Sequence, residues 1–220
     1  MTLEVDHAFV ACAPGAPEAD TLLQLGLVEG SGNTHPGQGT ANRRFFFENF
    51  MLEMLWVADR SEAMSAQTRR TRLWERCSKQ DTGINPFGIV FRAVGDHDSA
   101  APFATWAYHP NYLPAGMAIQ IAEGTTLQEP ELFYLPFLRQ SGVRRAEPTS
   151  HAQPIGKMRQ LRAGVPRLKE LSDAARIAEN RGLLSYFESE QPMLEIQFSS
   201  SSDLRLDLRP ALPLVLRGAA

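Results

Sequence analysis

Two side chains in this 220-residue chain are chemically out of keeping with their neighbours. His7 lies in the β-branched and aromatic run Leu3 to Ala11 (LEVDHAFVA), where alternation puts it on one face with Val5 and Phe9. Glu53 lies in FMLEMLWV, with apolar residues on both faces of the strand. A carboxylate there must reach an open face, find a partner or bind a metal, because an unpaired buried charge is strongly unfavourable. An imidazole and a carboxylate together suit a divalent zinc, iron, nickel or manganese ion, with Glu53 as the catalytic carboxylate. The other reading is a Glu53 paired with Arg43 or Arg44 and a His7 hydrogen-bonded within the sheet.

Between these two strands runs His35-Pro-Gly-Gln-Gly-Thr-Ala-Asn-Arg43. It lacks the Lys-Ser/Thr ending of a phosphate-binding P-loop and leads into a strand, not a helix. One reading is a ligand-facing loop, with His35, Gln38, Asn42 and Arg43 offering polar groups. The other is a tight connection needing positive φ at Gly37 and Gly39. Further along, His109 sits among Tyr108, Tyr112 and prolines that would suit a pocket wall, and Tyr134 lies mid-strand in ELFYLPF.

The elements that carry these residues repeat an order. Leu3 to Ala11 is a strand stopped by Pro14-Gly15. Pro17 opens a helix with Glu18 and Asp20 near its positive end, and Gly26 ends it. Arg43 to Val57 is strand material. Arg60 to Lys79 is polar and helix-forming. Strand patterns return at Phe87–Val94, Ala118–Ala122 and Glu131–Phe137, with a short helix expected at Asp98–Trp106 and a polar linker at Gly142–Ser150. Ile155–Ala163 reads as strand and Leu168–Asn180 as helix. Strands follow at Leu183–Glu188, Met193–Phe198 and Leu204–Leu208, the last with strict alternation of leucine and charge. The class is α+β, built of repeated βαβββ units.

Composition removes several functions. With 43% hydrophobic and 21% charged residues the chain is not a disordered one. A net charge of −3 provides no field for nucleic acid or a membrane surface, and there is no apolar run long enough to span a bilayer. The first ten residues carry acids, not a signal sequence, so a cytoplasmic location is expected. Cys12 and Cys77 form no C-x-x-C pair and are expected as reduced thiols. No G-x-S-x-G elbow is present.

Asp6-His7 on the first strand, HPGQGTANR at 35–43 and FMLEMLWV at 50–57 resemble the glyoxalase-like branch of the vicinal oxygen chelate superfamily. The resemblance implies curved mixed sheets of paired modules around an open cleft, with a domain over 1–138 (modules 1–58 and 85–138 joined by a helix at 60–79) and a further βαβββ-like module over 150–217. It implies metal ligands at His7 and Glu53, the first and last strands of module one. Module two offers no counterpart on Phe87-Gly88-Ile89. Two functions are therefore expected. One is a divalent-metal-dependent lyase, isomerase or dioxygenase acting on a substrate with vicinal oxygens; the other is a metal-free protein that binds or sequesters a small molecule in the same cleft. The open edge of the third unit calls for pairing with module two or with a second copy in a homodimer.

Overall fold

A computed structural model describes residues 3–78, 83–95, 100–138 and 147–219. The architecture is α+β, with two curved mixed sheets of the glyoxalase-like kind. The chain runs β1 (Leu3–Ala11), α1 (Ala19–Gln24), β2 (Asn33–His35), β3 (Thr40–Phe46) and β4 (Met51–Val57), then α2 (Arg60–Ala63) and α3 (Leu73–Ser78). Strands β5 (Phe87–Ala93), β6 (Thr105–Tyr108), β7 (Ile119–Ala122) and β8 (Glu131–Tyr134) complete the first sheet. Its order is β2-β3-β4-β1-β5-β8-β7-β6. In each half the first strand pairs parallel with the last, β1 with β4 and β5 with β8. The halves are joined by the antiparallel β1–β5 ladder.

The remaining elements are β9 (Ile155–Val165), α4 (Asp173–Asn180), β10 (Ser185–Glu188), β11 (Met193–Ser200), β12 (Leu204–Asp207) and β13 (Leu214–Ala219). They form a separate sheet in the order β10-β9-β11-β13-β12. Its centre repeats the first sheet in abridged form: β9–β10 and β11–β13 are parallel, and β9–β11 is the antiparallel seam. The last segment thus reads as two shortened units back to back. Strand β13, which LVLRGA only weakly advertises, inserts between β11 and β12. Among the described residues no ladder joins this sheet to module two.

One continuous core lies between the sheets. Phe47 and Phe50 of the β3–β4 turn meet Phe198 of β11, the first pair at 4.5 Å between ring centres. A second apolar cluster, including Phe9, Leu55, Val90 and Phe133, lies on the other face of the first sheet.

Of the single helix expected over 60–79, residues 60–78 are instead short pieces, and 79 lies outside the described residues. A 3-10 turn at Arg69–Thr71 and a left-handed Arg72 (φ 57°) separate α2 from α3. The Thr71 hydroxyl donates to Thr68 O, a local bond that competes with helix continuation. The break aims Arg72 at Thr125 and Glu131. Behind it the fully buried Arg76 donates to Asn85 O, Glu129 O, Thr126 O and Glu131. Of the helix expected at 98–106, residues 98 and 99 lie outside the described residues, as do 142–146 of the linker. Thr105–Tyr108 is strand. No helix among the described residues is long and apolar enough to cross a membrane.

Candidate functional site

The first sheet curls around a cavity of about 210 Å³, with its floor at the β1–β5 seam. His7 enters it because β1 is not a regular strand. Val5 pairs with Phe91 and His7 with Val90, so Asp6 is an extra, bulged residue. The bulge changes the alternation: Val5 belongs to the inter-sheet core, while His7 and Phe9 face the cavity. The shared Val5–His7–Phe9 face read from simple alternation is therefore corrected. It also brings neighbouring side chains together, and Asp6 Oδ2 lies 2.7 Å from His7 Nδ1.

Strand β4 delivers Glu53 beside it. Its Oε2 lies 3.8 Å from His7 Nε2, while Oε1 accepts from Asn42 Nδ2 at 2.5 Å. Asn42 is oriented in turn by the Asn33 N–H, which donates to its Oδ1 at 2.7 Å. Glu53 is only 6% exposed and Asp6 3%. Neither Arg43 nor Arg44 pairs with Glu53. Glu195, in the echoing sequence MLEIQF, is instead clamped between Arg162 and Arg217 on the second sheet.

The HPGQG loop is a tight connection that also borders the cavity. Gly37 and Gly39 have φ of 81° and 75°, and a Cβ on Gly39 would lie 2.2 Å from Asp59 O. Gln38 and His35 line the cavity, each bonded to Thr40 Oγ1 (2.8 and 2.9 Å). Tyr112 packs against His35 at 4.8 Å and donates to Gln38 Oε1. Burial pushes the His35 pKa below its usual value; the nearby Glu53 charge opposes this. His35 is therefore neutral at neutral pH. Burial also raises the Tyr112 phenol well above its ordinary range.

The opposite wall, from module two, is apolar apart from its tyrosine hydroxyls. Val90 stands across the seam from His7. Leu135 continues β8, its N–H donating to Phe91 O, and takes the place that Glu53 holds in module one. Phe133, Ile121 and Tyr108 complete this wall.

Three expected site residues lie elsewhere. Arg43 is on the far side of β3, where it binds Glu29 (2.6 and 2.8 Å), Asp20 (2.8 Å) and Ala16 O, tethering α1. Period-two alternation explains this: Asn42 and Arg44 share the cavity face, and Arg43 cannot join them. Tyr134 is buried in the inter-sheet core, and its neighbour Phe133 faces the cavity for the same reason. His109 does not line the cavity; its carbonyl accepts from Gln67. Sequence reasoning missed Arg44 as a lining residue, although it was recoverable from the Asn42 spacing, whereas Tyr108 and Tyr112, expected to suit a pocket wall, do line the cavity.

With the geometry in view, comparison with known proteins bears on the fold. A hypothetical protein from Staphylococcus aureus matches with a TM-score of 0.54 and 10% identity, over 100% of this chain and 99% of that one. The two chains share a fold. A xylose isomerase-like TIM barrel/4-hydroxyphenylpyruvate dioxygenase fusion protein matches at TM-score 0.49 and 9% identity, over 90% of this chain and 36% of that one. A mutant 4-hydroxymandelate synthase from Streptomyces coelicolor matches at 0.40 and 14%, over 98% and 62%. No family model and no curated protein matches the chain.

A metal is implied by the glyoxalase-like resemblance, and the donor set tests it. A catalytic zinc is ordinarily held by three protein ligands. Here His7 and Glu53 stand 3.8 Å apart, and the counterpart positions are Val90 and Leu135. Among the described residues no group of three His, Cys, Asp or Glu side chains is arranged to hold a metal ion. The residues present do not fit a protein-held catalytic metal.

Proposed function

We propose that this chain is a vicinal-oxygen-chelate-type protein that binds a small molecule without a protein-held metal centre. The observation that carries this reading is the two-sided cavity: a hydrogen-bonding wall of His7, Asn42 and Glu53 faces a hydrocarbon wall at the very positions a second pair of ligands would take. Such a site holds a compound with an apolar body and a polar end. Burying a body of phenyl size contributes about 2–3 kcal/mol, and the polar wall sets its orientation. His35 and Gln38 border the same wall. Of the two functions expected from sequence, this is the metal-free one.

The test is elemental analysis of protein purified without a metal-affinity tag, together with thermal unfolding in p-cresol. The expected result is substoichiometric metal and a rise in Tm with p-cresol that Glu53→Gln diminishes. Stoichiometric metal that is lost in both His7→Ala and Glu53→Gln sinks the metal-free reading. The edges of the second sheet, β10 and β12, leave association with a second copy as the remaining form of the homodimer proposal. A strict monomer by light scattering at high concentration removes it.

A further inference from the structure

Arg44 stands directly across the β3–β4 ladder from Glu53, and both line the cavity. Opposite charges in that relation ordinarily attract and pair. These do not, and among the described residues Arg44 forms no ion pair. Its Nε donates to Ser31 O at 2.6 Å and its Nη2 to Ser31 Oγ at 2.8 Å, and its guanidinium lies over the Phe46 ring. Ser31 in turn is bound to Glu147 through its N–H and hydroxyl. Glu53 takes Asn42 instead of the arginine. A cation and an anion are thus each held by neutral hydrogen-bonding groups on residues that line one cavity, the guanidinium at the side where it adjoins a pocket lined by Ser31, Phe46 and Glu147.

A second observation concerns His7. Nδ1 lies against the Asp6 carboxylate, and the tautomer with its proton there offers Nε2 as an acceptor. Glu53 Oε2, 3.8 Å away, is a second acceptor. Two acceptors at that separation suit one donor group with several protons between them, and an ammonium carries three. The cavity, about 210 Å³, is below the ~300–1,000 Å³ of sites for drug-sized ligands.

We propose that the cavity recognises a small zwitterion, an amino acid with an apolar side chain. Its carboxylate meets Arg44, its ammonium sits between Glu53 and His7, and its side chain lies against Val90, Ile121 and Phe133. This rests on the small-molecule reading above and names the ligand class for the same site.

Calorimetric titration of the full chain with L-phenylalanine, 3-phenylpropionate, phenethylamine and p-cresol tests it. L-Phenylalanine should bind about tenfold to a hundredfold tighter than either singly charged analogue, the scale of one charge-assisted hydrogen bond. Arg44→Met should reduce L-phenylalanine to the level of phenethylamine, and Glu53→Gln to that of 3-phenylpropionate. The compound series on the unaltered protein decides the matter even where a variant does not fold. Analogues that bind as tightly as L-phenylalanine overturn the zwitterion. Binding of p-cresol with no preference for L-phenylalanine overturns it too, while leaving the small-molecule reading in place. Failure of all four compounds to bind overturns both.

Discussion

Gly88 is the residue on which the cavity floor depends, and replacing it with alanine measures how tightly that floor is packed. Gly88 faces Phe9 across the β1–β5 seam. A Cβ there would lie 2.1 Å from Cε1 and 2.3 Å from Cζ of Phe9, and 2.8 Å from Cε2 of Phe133. Ordinary contact begins near 3.4 Å, so the Phe9 ring must retreat by more than an ångström. Phe133 already lies 5.7 Å from it, centre to centre, and the open direction is the cavity itself. Two effects compete. Alanine in place of a strand glycine gains about 0.5–1 kcal/mol from the unfolded chain, while overpacking costs about 1–3 kcal/mol. The clash wins, for a net loss of about 1–2 kcal/mol. In a domain of this size that lowers Tm by about 2–8 °C. Urea denaturation of Gly88→Ala, Phe9→Leu and the double variant gives the coupling, and the smaller leucine should recover at least about 0.5 kcal/mol of the alanine cost. Binding of p-cresol should weaken in Gly88→Ala, because the displaced ring fills the space. Additive single effects, or a Gly88→Ala protein as stable as the original, refute this account of the floor.

Other perturbations have defined outcomes. Arg76→Leu removes the donor shared by three buried carbonyls and Glu131, and urea denaturation should show a loss of about 3–5 kcal/mol. His151 accepts from the Val28 N–H at Nδ1, with Nε2 at Phe46 O, and burial holds its pKa below 6.5. The unfolded chain therefore takes up the proton first, and stability should fall as pH drops below about 6.5; His151→Gln should show a shallower loss between about pH 7 and 5.5. Burial raises the Cys12 thiol far above its ordinary range and pushes Cys77 up to about 12, so native protein at mildly alkaline pH should react slowly with a thiol reagent and unfolded protein quickly. Rapid labelling of both thiols in folded protein contradicts that packing.

The fold class was legible because its signal is local: LRLDL alternates, LEVDHAFVA and FMLEMLWV are short apolar strand runs, and Pro17 and Gly26 bracket α1. The closeness of His7 and Glu53 came from the resemblance and not from spacing. What alternation misread were its own interruptions. A bulge at Asp6 is invisible in composition, yet it moved Val5 into the core while leaving His7 in the cavity. Arg43 was chosen over Arg44 because both adjoin the loop, whereas the face was already set by Asn42. The helix at 60–79 broke where threonine hydroxyls bond locally and Arg72 turns left-handed, a choice made by the distant Glu131 and Thr125. Strand β13 was missed because its place depends on β11, more than a dozen residues earlier.

The bulge in β1 has a consequence for how such a site arises. Remove Asp6, and Val5 still faces Phe91 and His7 still faces Val90: the seam becomes a plain ladder with every other side chain on its present face. Arg92, which also meets Asp6, keeps Glu4. The ladder register therefore does not depend on this residue. A one-codon insertion into a regular strand would suffice to set a carboxylate against the imidazole, and a one-codon deletion would take it away without shifting the ladder register, at the cost of one ion pair to Arg92. A chain lacking Asp6 should fold and keep its cavity while its imidazole loses the partner that fixes which nitrogen carries the proton.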